Sequence, residues 1–469
     1  MRYEIPDFVK SHAKNRGGRI RVGFVGFGTT NRAIYGMLSE MTECSFSIRQ
    51  ETLPRHTLPM GVKLIIGDGA VRDLDEDVLF LSPSVRRERL DLPVGCVLTS
   101  DTDIFFSKKR KNTFVITGSD GKSTVTTLVA NILDRVMEKT FVGGNLGTPT
   151  ALACLNSDAF VLEESSFSLR YVRPHSHRAV LTSLTPNHLN WHASYSEYVM
   201  AKRQALIFTD EPIVNVDTES AAEIAICMPL FAVCSTGLPF SEAKEKYRAE
   251  HILTLENGII MLDGVTFADT ARLKRRENYN LANMMSAIAM TLGYAPADVL
   301  LEVLESFHGL EHRCEAFFEA DGIAFINSSI DTSPERTANT LKALGRQVVL
   351  ILGGRGKSLP LTPLSEPVAR YAKRIILYGD MKDELSDFIK SDTATTSIPH
   401  EAFDSFGEAL DYATAELTVG DVLLLSPAAT AYGEFASFAE RGRYFKDYIL
   451  QKYNKTKKMC NDVHRKWRK

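Results

Sequence analysis

The chain has 469 residues, and its 55 Lys and Arg against 58 Asp and Glu give a net charge of -3 at neutral pH. This length exceeds what one hydrophobic core usually supports, so two to four domains are expected. The near-neutral balance argues against a dedicated nucleic-acid-binding protein. Seven scattered cysteines without a CxxC pair indicate a reducing compartment and no zinc site.

Neither a signal peptide nor a membrane span is predicted. The first residues lack the apolar core of a signal peptide, and no run approaches the eighteen or so apolar residues that a span needs. A cytoplasmic protein is therefore expected.

The first predicted unit begins with an apolar strand in residues 19–27, followed by a glycine turn and a helix. Such a strand, turn and helix can bind phosphate at the helix N-terminus. The third glycine of the dinucleotide spacing is replaced by Asn31, so a bound nucleotide and a plain turn stay equally open. Further strands are predicted at 63–66, 78–82 and 96–99, which completes an α/β unit ending near residue 106.

The second unit opens with residues 114–128, FVITGSDGKSTVTTL. Four apolar or β-branched residues predict a buried strand, the glycines a tight turn, and Lys122 the start of a helix. Backbone N–H groups of such a turn can hold phosphates, Lys122 can contact the β and γ phosphates, and the Ser123 hydroxyl can hold Mg²⁺. A plain glycine turn with a solvated lysine is the less favoured alternative.

Polar residues follow two later strands of the second unit. Glu163 and Glu164 come directly after a strand predicted at 159–162, and His188 follows a strand at 179–184. Parallel sheets place ligand sites at this end of their strands, where a carboxylate can take Mg²⁺. Lys202 lies on a helix predicted at 198–207. Alone, His188 and Lys202 would be read as surface or core residues, but their position beside the glycine turn favours a site.

A third α/β unit is predicted after residue 310. Its strands lie at 324–326, 347–352 and 422–425, with a further candidate at 374–377, and polar or glycine-rich turns follow them. Arg313 can contact a nucleotide phosphate and Lys357 a carboxylate. Residues 451–469 are strongly basic, and a solvated extension is favoured there over contact with an anionic surface.

The fold class predicted is α/β with three domains: an N-terminal Rossmann-like domain, a central P-loop ATPase-type domain with a mainly parallel sheet, and a C-terminal Rossmann-like domain. The predicted boundaries are 1–107, 108–310 and 311–450, with a basic tail at 451–469. Alternation of strand and helix signals supports this class.

Seven short motifs resemble those of the Mur ligases, the ATP-dependent amide-forming enzymes of peptidoglycan synthesis. They are TGSDGKST at 117–124, GGNLGTP at 143–149, LEESSF at 162–167, PNH at 186–188, AK at 201–202, NLAN at 280–283 and EHR at 311–313. The similarity extends from about residue 21 to 448. It implies ATP and Mg²⁺ as cofactors, and a monomer is expected.

Narrower motifs resemble the branch of this family that joins D-glutamate to UDP-N-acetylmuramoyl-L-alanine. They are GFGTTN, INSSIDTSP, LGGRGKS and LLSPAATAYGEFASFAERG. The resemblance implies those two substrates and an acyl phosphate intermediate, formed when the alanine carboxylate takes the γ-phosphoryl group of ATP. No nucleophilic side chain is required, and no nucleic-acid partner is expected.

The resemblance also implies roles for individual residues. The catalytic set is Lys122, Lys202, His188 and Glu163. The ATP-binding set is Gly118, Ser119, Asp120, Gly121, Lys122, Ser123, Thr124, Asn283 and Arg313. The set for the UDP-linked substrate is Gly28, Thr29, Thr30, Asn31, Asn145 and Ser166, and the set for D-glutamate is Thr332, Lys357 and Phe438. The Mg²⁺ ligands are Ser123, Glu163 and His188, with Lys202 if CO₂ converts it to a carbamate.

Three positions depart from the pattern of the family. Ser328 stands where an aspartate is common, Ala431 where a serine often helps to hold glutamate, and Tyr279 where a histidine is usual. An acid for uracil binding is also not evident in residues 46–51. Two alternatives therefore stay open: a Mur-type ligase for another amino acid, and a non-catalytic protein of the ligase fold that binds nucleotides or UDP-sugars.

Overall fold

A computed structural model describes residues 4–51, 58–154, 156–189, 191–356 and 359–466. The chain forms two compact units, Met1–Phe307 and His308–Lys469. Among the helices of these described ranges, none combines the length and apolar character needed to cross a bilayer.

The first sheet of unit Met1–Phe307 has five parallel strands in the order β3-β2-β1-β4-β5. The strands are β1 (Ile20–Val25), β2 (Cys44–Gln50), β3 (Lys63–Ile66), β4 (Val78–Leu81) and β5 (Val97–Thr99). The helices are α1 (Glu4–Asn15), α2 (Thr29–Leu38) and α3 (Asp101–Phe106). Buried side chains of α1, α2, β1 and β4 form one core cluster, so the turn between β1 and α2 is held by packing on both sides.

The second sheet of the same unit has nine strands in the order β14-β13-β12-β11-β10-β9-β6-β8-β7. The strands are β6 (Thr113–Thr117), β7 (Thr140–Gly144), β8 (Ala159–Glu163), β9 (Ser176–Leu181), β10 (Thr209–Asn215), β11 (Leu230–Ser235), β12 (Ala249–Glu256), β13 (Ile259–Leu262) and β14 (Val265–Asp269). The helices are α4 (Lys122–Leu133), α5 (Ser166–Leu169), α6 (Tyr195–Ile207), α7 (Glu219–Ile226), α8 (Phe240–Lys246), α9 (Asn278–Thr291) and α10 (Ala297–Ser306). Strands β6 to β12 pair in parallel, and β12, β13 and β14 pair in antiparallel fashion.

The sheet of unit His308–Lys469 has six strands in the order β15-β16-β20-β17-β18-β19. The strands are β15 (Glu315–Ala320), β16 (Ile323–Asn327), β17 (Val348–Gly353), β18 (Ala372–Tyr378), β19 (His400–Phe403) and β20 (Val422–Leu425). The helices are α11 (Pro334–Leu344), α12 (Ser365–Tyr371), α13 (Lys382–Ser391), α14 (Phe406–Ala415) and α15 (Phe438–Lys466). Only the β15–β16 pair of this sheet is antiparallel.

The predicted α/β class with mainly parallel sheets is confirmed. The strands at 63–66 and 422–425 have the predicted bounds, and β6 and α4 frame the glycine turn as predicted. The antiparallel β12–β14 segment was not predicted, because β13 and β14 are short and mostly half-exposed or exposed. Helix α15 continues to Lys466, so the backbone of the predicted tail is helical up to that residue. The residue boundaries of the domains stay a prediction.

A buried ion pair joins β2 to the segment that precedes β4. Arg49 is 1% exposed and its Nε donates to Glu76 Oε1 at 2.6 Å. The Ser47 hydroxyl donates to the same oxygen, and Arg49 also donates to the carbonyl of Arg72 at 3.2 Å. The pair is therefore enclosed and fully hydrogen-bonded on its acidic side, which is the condition under which a buried pair is tolerated.

We predict that Glu76→Ala lowers the free energy of unfolding by about 3 to 5 kcal/mol, because it removes the buried carboxylate of the Arg49 ion pair and leaves only the half-exposed one of Asp75. Chemical denaturation followed by circular dichroism measures this loss. Asp75→Ala is the control, because Asp75 contacts the same guanidinium at 3.2 Å but is 53% exposed, so a loss under about 1 kcal/mol is expected. Equal losses in the two variants would contradict the prediction.

Candidate functional site

The glycine turn between β6 and α4 has a backbone that only glycine fits. Gly118 has φ +152° and Gly121 has φ +84°. A Cβ at Gly118 would lie 2.0 Å from Thr182 Oγ1, and one at Gly121 would lie 2.2 Å from Asn283 Oδ1. The turn is thus packed against the end of β9 and the start of α9, which brings the predicted ATP-binding residue Asn283 beside it.

Lys122 is folded back over this turn. Its Nζ donates to the carbonyls of Gly118 and Ser119, each at 2.9 Å. The Ser119 hydroxyl in turn donates to the carbonyl of Thr185 at 2.9 Å. The ammonium group is therefore held at the rim of the turn, where a bound anion can replace its carbonyl partners.

Glu163, at the end of β8, receives hydrogen bonds from two other predicted site residues. Ser123 Oγ donates to Glu163 Oε2 at 2.7 Å, and Asn145 Nδ2 donates to Glu163 Oε1 at 2.8 Å. Glu163 is 2% exposed. The structure thus brings together a carboxylate, a hydroxyl and an amide, and their oxygens are the ligands that Mg²⁺ prefers.

Lys202, on α6, contacts the same glycine turn as Lys122. Its Nζ donates to the Gly118 carbonyl at 2.6 Å and to Thr117 Oγ1 at 3.3 Å. Burial, with a smaller contribution from the Lys122 ammonium, lowers the pKa of Lys202 well below its ordinary value. The buried amine therefore loses its proton more readily than a surface lysine does.

His188 and His192 occupy different environments in the loop before α6. His188 has φ +54°, and its ring lies 5.0 Å from that of Phe167. His192 is 2% exposed, and its Nε2 lies 2.9 Å from Ser166 Oγ. Burial, with the Arg170 charge, lowers the pKa of His192 to about 4, so its imidazole is neutral at ordinary pH. His192 was not predicted as a site residue from the sequence, and only its spacing of four residues from His188 could have indicated it.

Glu164 has different partners from Glu163, although the two residues are adjacent in sequence. Burial raises the pKa of Glu164 to about 8, and the charges of Asp101 and Glu163 add to this shift. Its Oε2 accepts a hydrogen bond from Ser168 Oγ at 2.6 Å. Burial raises the pKa of Asp101 to about 6. Of the two adjacent glutamates, only Glu163 is therefore available to the turn.

The turn after β1 presents some predicted residues and encloses another. Gly28 and Thr29 are exposed and Thr30 is half-buried. Asn31 is 1% exposed, and its Nδ2 donates to the carbonyls of Gly26 at 2.6 Å and Phe80 at 3.1 Å. The Asn31 side-chain amide therefore stabilises the turn itself.

The loops of unit His308–Lys469 contain the remaining predicted residues. Thr332 is half-buried, and the Phe438 carbonyl accepts from Ser329 Oγ at 2.7 Å. Arg313 follows His312, which is 3% exposed and accepts from Asn327 Nδ2 at 2.9 Å. Lys357 lies outside the described residues.

Asp331, close in sequence to Ser328, is 5% exposed. Burial raises the pKa of Asp331, and its Oδ2 accepts from Ser426 Oγ and from Thr340 Oγ1, each at 2.7 Å. Ser328 is 0% exposed, and its Oγ accepts from the Cys314 N–H at 3.0 Å. Both side chains are therefore engaged inside the unit.

One group of metal-type ligands occurs among the residues that the structure describes, formed by Glu311, His312 and Glu315. Lys446 Nζ contacts Glu311 Oε1 at 3.1 Å and Glu315 Oε1 at 2.6 Å. The ammonium group already compensates both carboxylates, so this group is read as an ion-pair network.

The chain is similar to known proteins over most of its length. The family model of the Mur ligase middle domain matches residues 116–291. The UDP-N-acetylmuramoylalanine--D-glutamate ligase of Clostridium botulinum (strain Kyoto / Type A2) is 31% identical over 448 residues, which cover 92% of this chain and 96% of the relative. The protein of the same name from Clostridium beijerinckii is also 31% identical over 448 residues, with the same coverage of 92% and 96%.

Two solved structures have a similar fold. A pseudomurein peptide ligase type C from Methanothermus fervidus has a TM-score of 0.52 and 15% identity, covering 92% of this chain and 100% of that structure. A UDP-N-acetylmuramoyl-L-alanyl-D-glutamate--2,6-diaminopimelate ligase has a TM-score of 0.50 and 14% identity, with coverage of 91% and 92%. At these identities the similarity concerns the fold alone.

We predict that the difference in free energy of unfolding between Glu164→Gln and the wild type depends on pH. The pKa of Glu164 is about 8 in the folded chain and about 4.3 in an unfolded one. Between these values the folded protein keeps a proton that the unfolded chain has released, so wild-type stability falls as pH rises. Glutamine has no such proton. The variant should therefore gain more than about 1 kcal/mol relative to wild type as pH rises from about 5 to 8.

Denaturant titrations at several pH values measure this gain. Glu302→Gln is the control, because Glu302 is 62% exposed and forms only a surface ion pair with Arg135. Its profile should parallel that of the wild type. A parallel profile for Glu164→Gln as well would show that the Glu164 carboxyl is not held protonated.

Proposed function

Because this chain belongs to the Mur ligase family, we propose that it joins D-glutamate to UDP-N-acetylmuramoyl-L-alanine with hydrolysis of ATP to ADP and phosphate. The observation that carries the proposal is the joint placement of Lys122, Lys202 and Glu163 around one glycine turn. The reaction would require ATP and Mg²⁺. Because the enzyme uses ATP, we assign it to the cytoplasm. We assign it as a monomer.

The chemistry follows from the weakness of a carboxylate as an electrophile. An oxygen of the alanine carboxylate attacks the γ-phosphorus of ATP, the bond to ADP breaks, and an acyl phosphate forms. The amine of D-glutamate then attacks the acyl carbon and phosphate leaves as the amide forms. Lys122 and the N–H groups of the turn stabilise the charge on the transferring oxygens.

The donor set around Glu163 fits Mg²⁺. The carboxylate accepts from Ser123 Oγ and Asn145 Nδ2, so hard oxygen atoms of Glu163 and Ser123 lie side by side. When bound, Mg²⁺ offsets charge on the phosphate oxygens and orients them. His188 would complete this set, and Lys202 would join it as a carbamate, which its lowered pKa favours because only the neutral amine reacts with CO₂.

The other predicted residues divide among the ligands. We assign Gly28, Thr29, Thr30 and Asn31 to the UDP end of the first substrate, and the Asn31 side chain also stabilises their turn. Asn145 and Ser166 would contact its muramoyl-alanine end. Residues 1–107 would thus bind the UDP-linked substrate, 108–310 ATP, and 311–450 the amino acid, with Asn283 and Arg313 on the nucleotide and Thr332, Lys357 and Phe438 on D-glutamate.

A second candidate is a ligase of the same type that uses another amino acid. It is favoured by Ser328 and Ala431, because Ser328 is engaged with the Cys314 N–H and Ala431 offers no hydroxyl. A screen of amino acids under identical ATP conditions separates the two candidates. Phosphate release that is independent of every amino acid would contradict both candidates, and no phosphate release with any amino acid would favour a nucleotide-binding protein without catalytic activity.

We predict that phosphate release requires UDP-N-acetylmuramoyl-L-alanine and D-glutamate together, and that Lys122→Ala lowers kcat by at least about 100-fold, because the lost ammonium acts on charge that develops in the transition state. A coupled phosphate assay measures both. Lys109→Ala is the matched control, since Lys109 is 62% exposed and pairs with Asp210 on the surface. Normal turnover of Lys122→Ala would remove the glycine turn from the mechanism.

We further predict that Lys202→Ala loses activity and that short carboxylates such as acetate or formate partly restore it. An added carboxylate can take the position of the carbamate group, whereas it cannot replace the ammonium of Lys122. Lys122→Ala is therefore the control, and its rate should not respond to carboxylates. A rate of Lys202→Ala that ignores both carboxylate and bicarbonate would contradict a carbamate at this position.

A further inference from the structure

Arg441, in the second turn of α15, is a fully buried cation that the sequence analysis did not identify. It is 0% exposed. Its Nε donates to Ser329 Oγ at 3.0 Å and one Nη to the Ser329 carbonyl at 2.9 Å. The remaining bonds go to the Ala429 carbonyl at 3.1 Å, the Tyr378 hydroxyl at 3.1 Å and the Gly353 carbonyl at 3.5 Å.

All these partners are neutral oxygen atoms. Among the ion pairs of the described residues, none includes Arg441. Burial of a guanidinium without a carboxylate is costly unless its donors are all hydrogen-bonded. The planar fork of arginine meets this condition here, because five donors can reach acceptors on several segments at once.

The partners lie at the carboxyl ends of four neighbouring parallel strands. Ser329 follows β16, Gly353 ends β17, Tyr378 ends β18, and Ala429 follows β20. These strands are adjacent in the order β16-β20-β17-β18. In open parallel sheets this edge carries the ligand site. One side chain therefore connects the four segments from which such a site would be built.

Each residue that we assign to the amino acid lies close in sequence to one of these segments. Thr332 comes shortly after Ser329, Lys357 shortly after Gly353, and Phe438 precedes Arg441 on the same helix. The Ser329 hydroxyl that accepts from Arg441 also donates to the Phe438 carbonyl at 2.7 Å.

The backbone around the guanidinium leaves little room for adjustment. Gly353 has φ +136° and Gly354 has φ +116°. A Cβ at Gly354 would lie 2.2 Å from the Thr430 carbonyl and 3.1 Å from Arg441 Nη1. Ala428 has φ +58°, which an alanine rarely adopts. The segments are thus held in conformations that depend on close mutual contact.

We propose that Arg441 is a positioning residue for the amino-acid site, fixing Ser329, Gly353 and Ala429 and the start of α15 in their productive arrangement. The proposal rests on the function proposed above. Arg441 would thus affect the binding of the amino acid separately from its effect on the stability of the fold. Displacing binding residues by even about 1 Å weakens catalysis strongly.

Arg441→Lys tests this assignment, because lysine keeps the charge but not the planar fork. We expect KM for D-glutamate to rise at least about tenfold and kcat to fall, while KM for ATP and for the UDP-linked substrate changes less than about twofold. Arg441→Gln should show the same selective loss, and Arg441→Lys keeps the test decisive if the glutamine variant does not fold.

Two controls separate positioning from stability and from charge. Phe445→Leu alters a residue of the same helix that is 0% exposed and packs on Phe317 and Phe406, so it lowers stability without touching the guanidinium contacts. Arg374→Gln removes an arginine that pairs with Glu416 at 2.7 Å. Both variants should leave the three KM values unchanged, and kcat should also be unchanged once it is corrected for the fraction of folded protein.

Three unchanged KM values in Arg441→Lys, or an equal rise in all of them, would overturn the proposal. Failure of the proposed function looks different, because the wild type itself would then show no phosphate release that depends on D-glutamate. In that case the same KM comparison is made with the amino acid that the wild type uses, and a selective rise for that amino acid supports the role of Arg441.

Discussion

Two lysine side chains share one carbonyl oxygen, that of Gly118, and the candidate site depends on how they do so. Lys122 reaches it at 2.9 Å and Lys202 at 2.6 Å. Two ammonium groups this close repel each other, and burial penalises the charge of the more enclosed one. Lys202 is the enclosed partner, at 2% exposed, so its pKa falls. The arrangement thus separates a charged lysine at the rim, suited to phosphate, from an amine that can be neutral and reactive.

The two adjacent glutamates are separated by the same physical principle. Glu163 meets the Ser123 hydroxyl and the Asn145 amide, which both donate to its oxygens. Glu164 points to the other side of the β8 end, where its neighbours include the carboxyl of Asp101, and its pKa rises to about 8. Successive residues at a strand end face opposite ways, so the two buried carboxyl groups have different partners and only that of Glu164 has a strongly raised pKa.

Local signals in the sequence were sufficient for the strand, glycine turn and helix around Lys122, because each depends on residues close along the chain. The pairing of His192 with Ser166 could not be predicted, since it forms only when α5 and the loop before α6 meet in space. The enclosure of Asn31 was missed for a related reason: its amide is engaged by the Phe80 carbonyl on another strand. The burial and hydrogen bonding of Arg441 could not be predicted either, because its partners lie at the ends of four strands that are distant in sequence.

The two fully buried arginines, Arg49 and Arg441, show that contacts between residues distant in sequence determine how a buried charge is compensated. Arg49 has the Glu76 carboxylate at 2.6 Å, so its charge is balanced inside the fold. Arg441 meets only neutral oxygens, so its charge is spread over four segments and is not cancelled by any described ion pair. Such an uncancelled charge is tolerated only while its hydrogen bonds are kept, because a buried guanidinium that loses an acceptor is costly. A shift of any one of the four strand ends would break a hydrogen bond of Arg441, so the need to keep these bonds together holds the four segments in one arrangement.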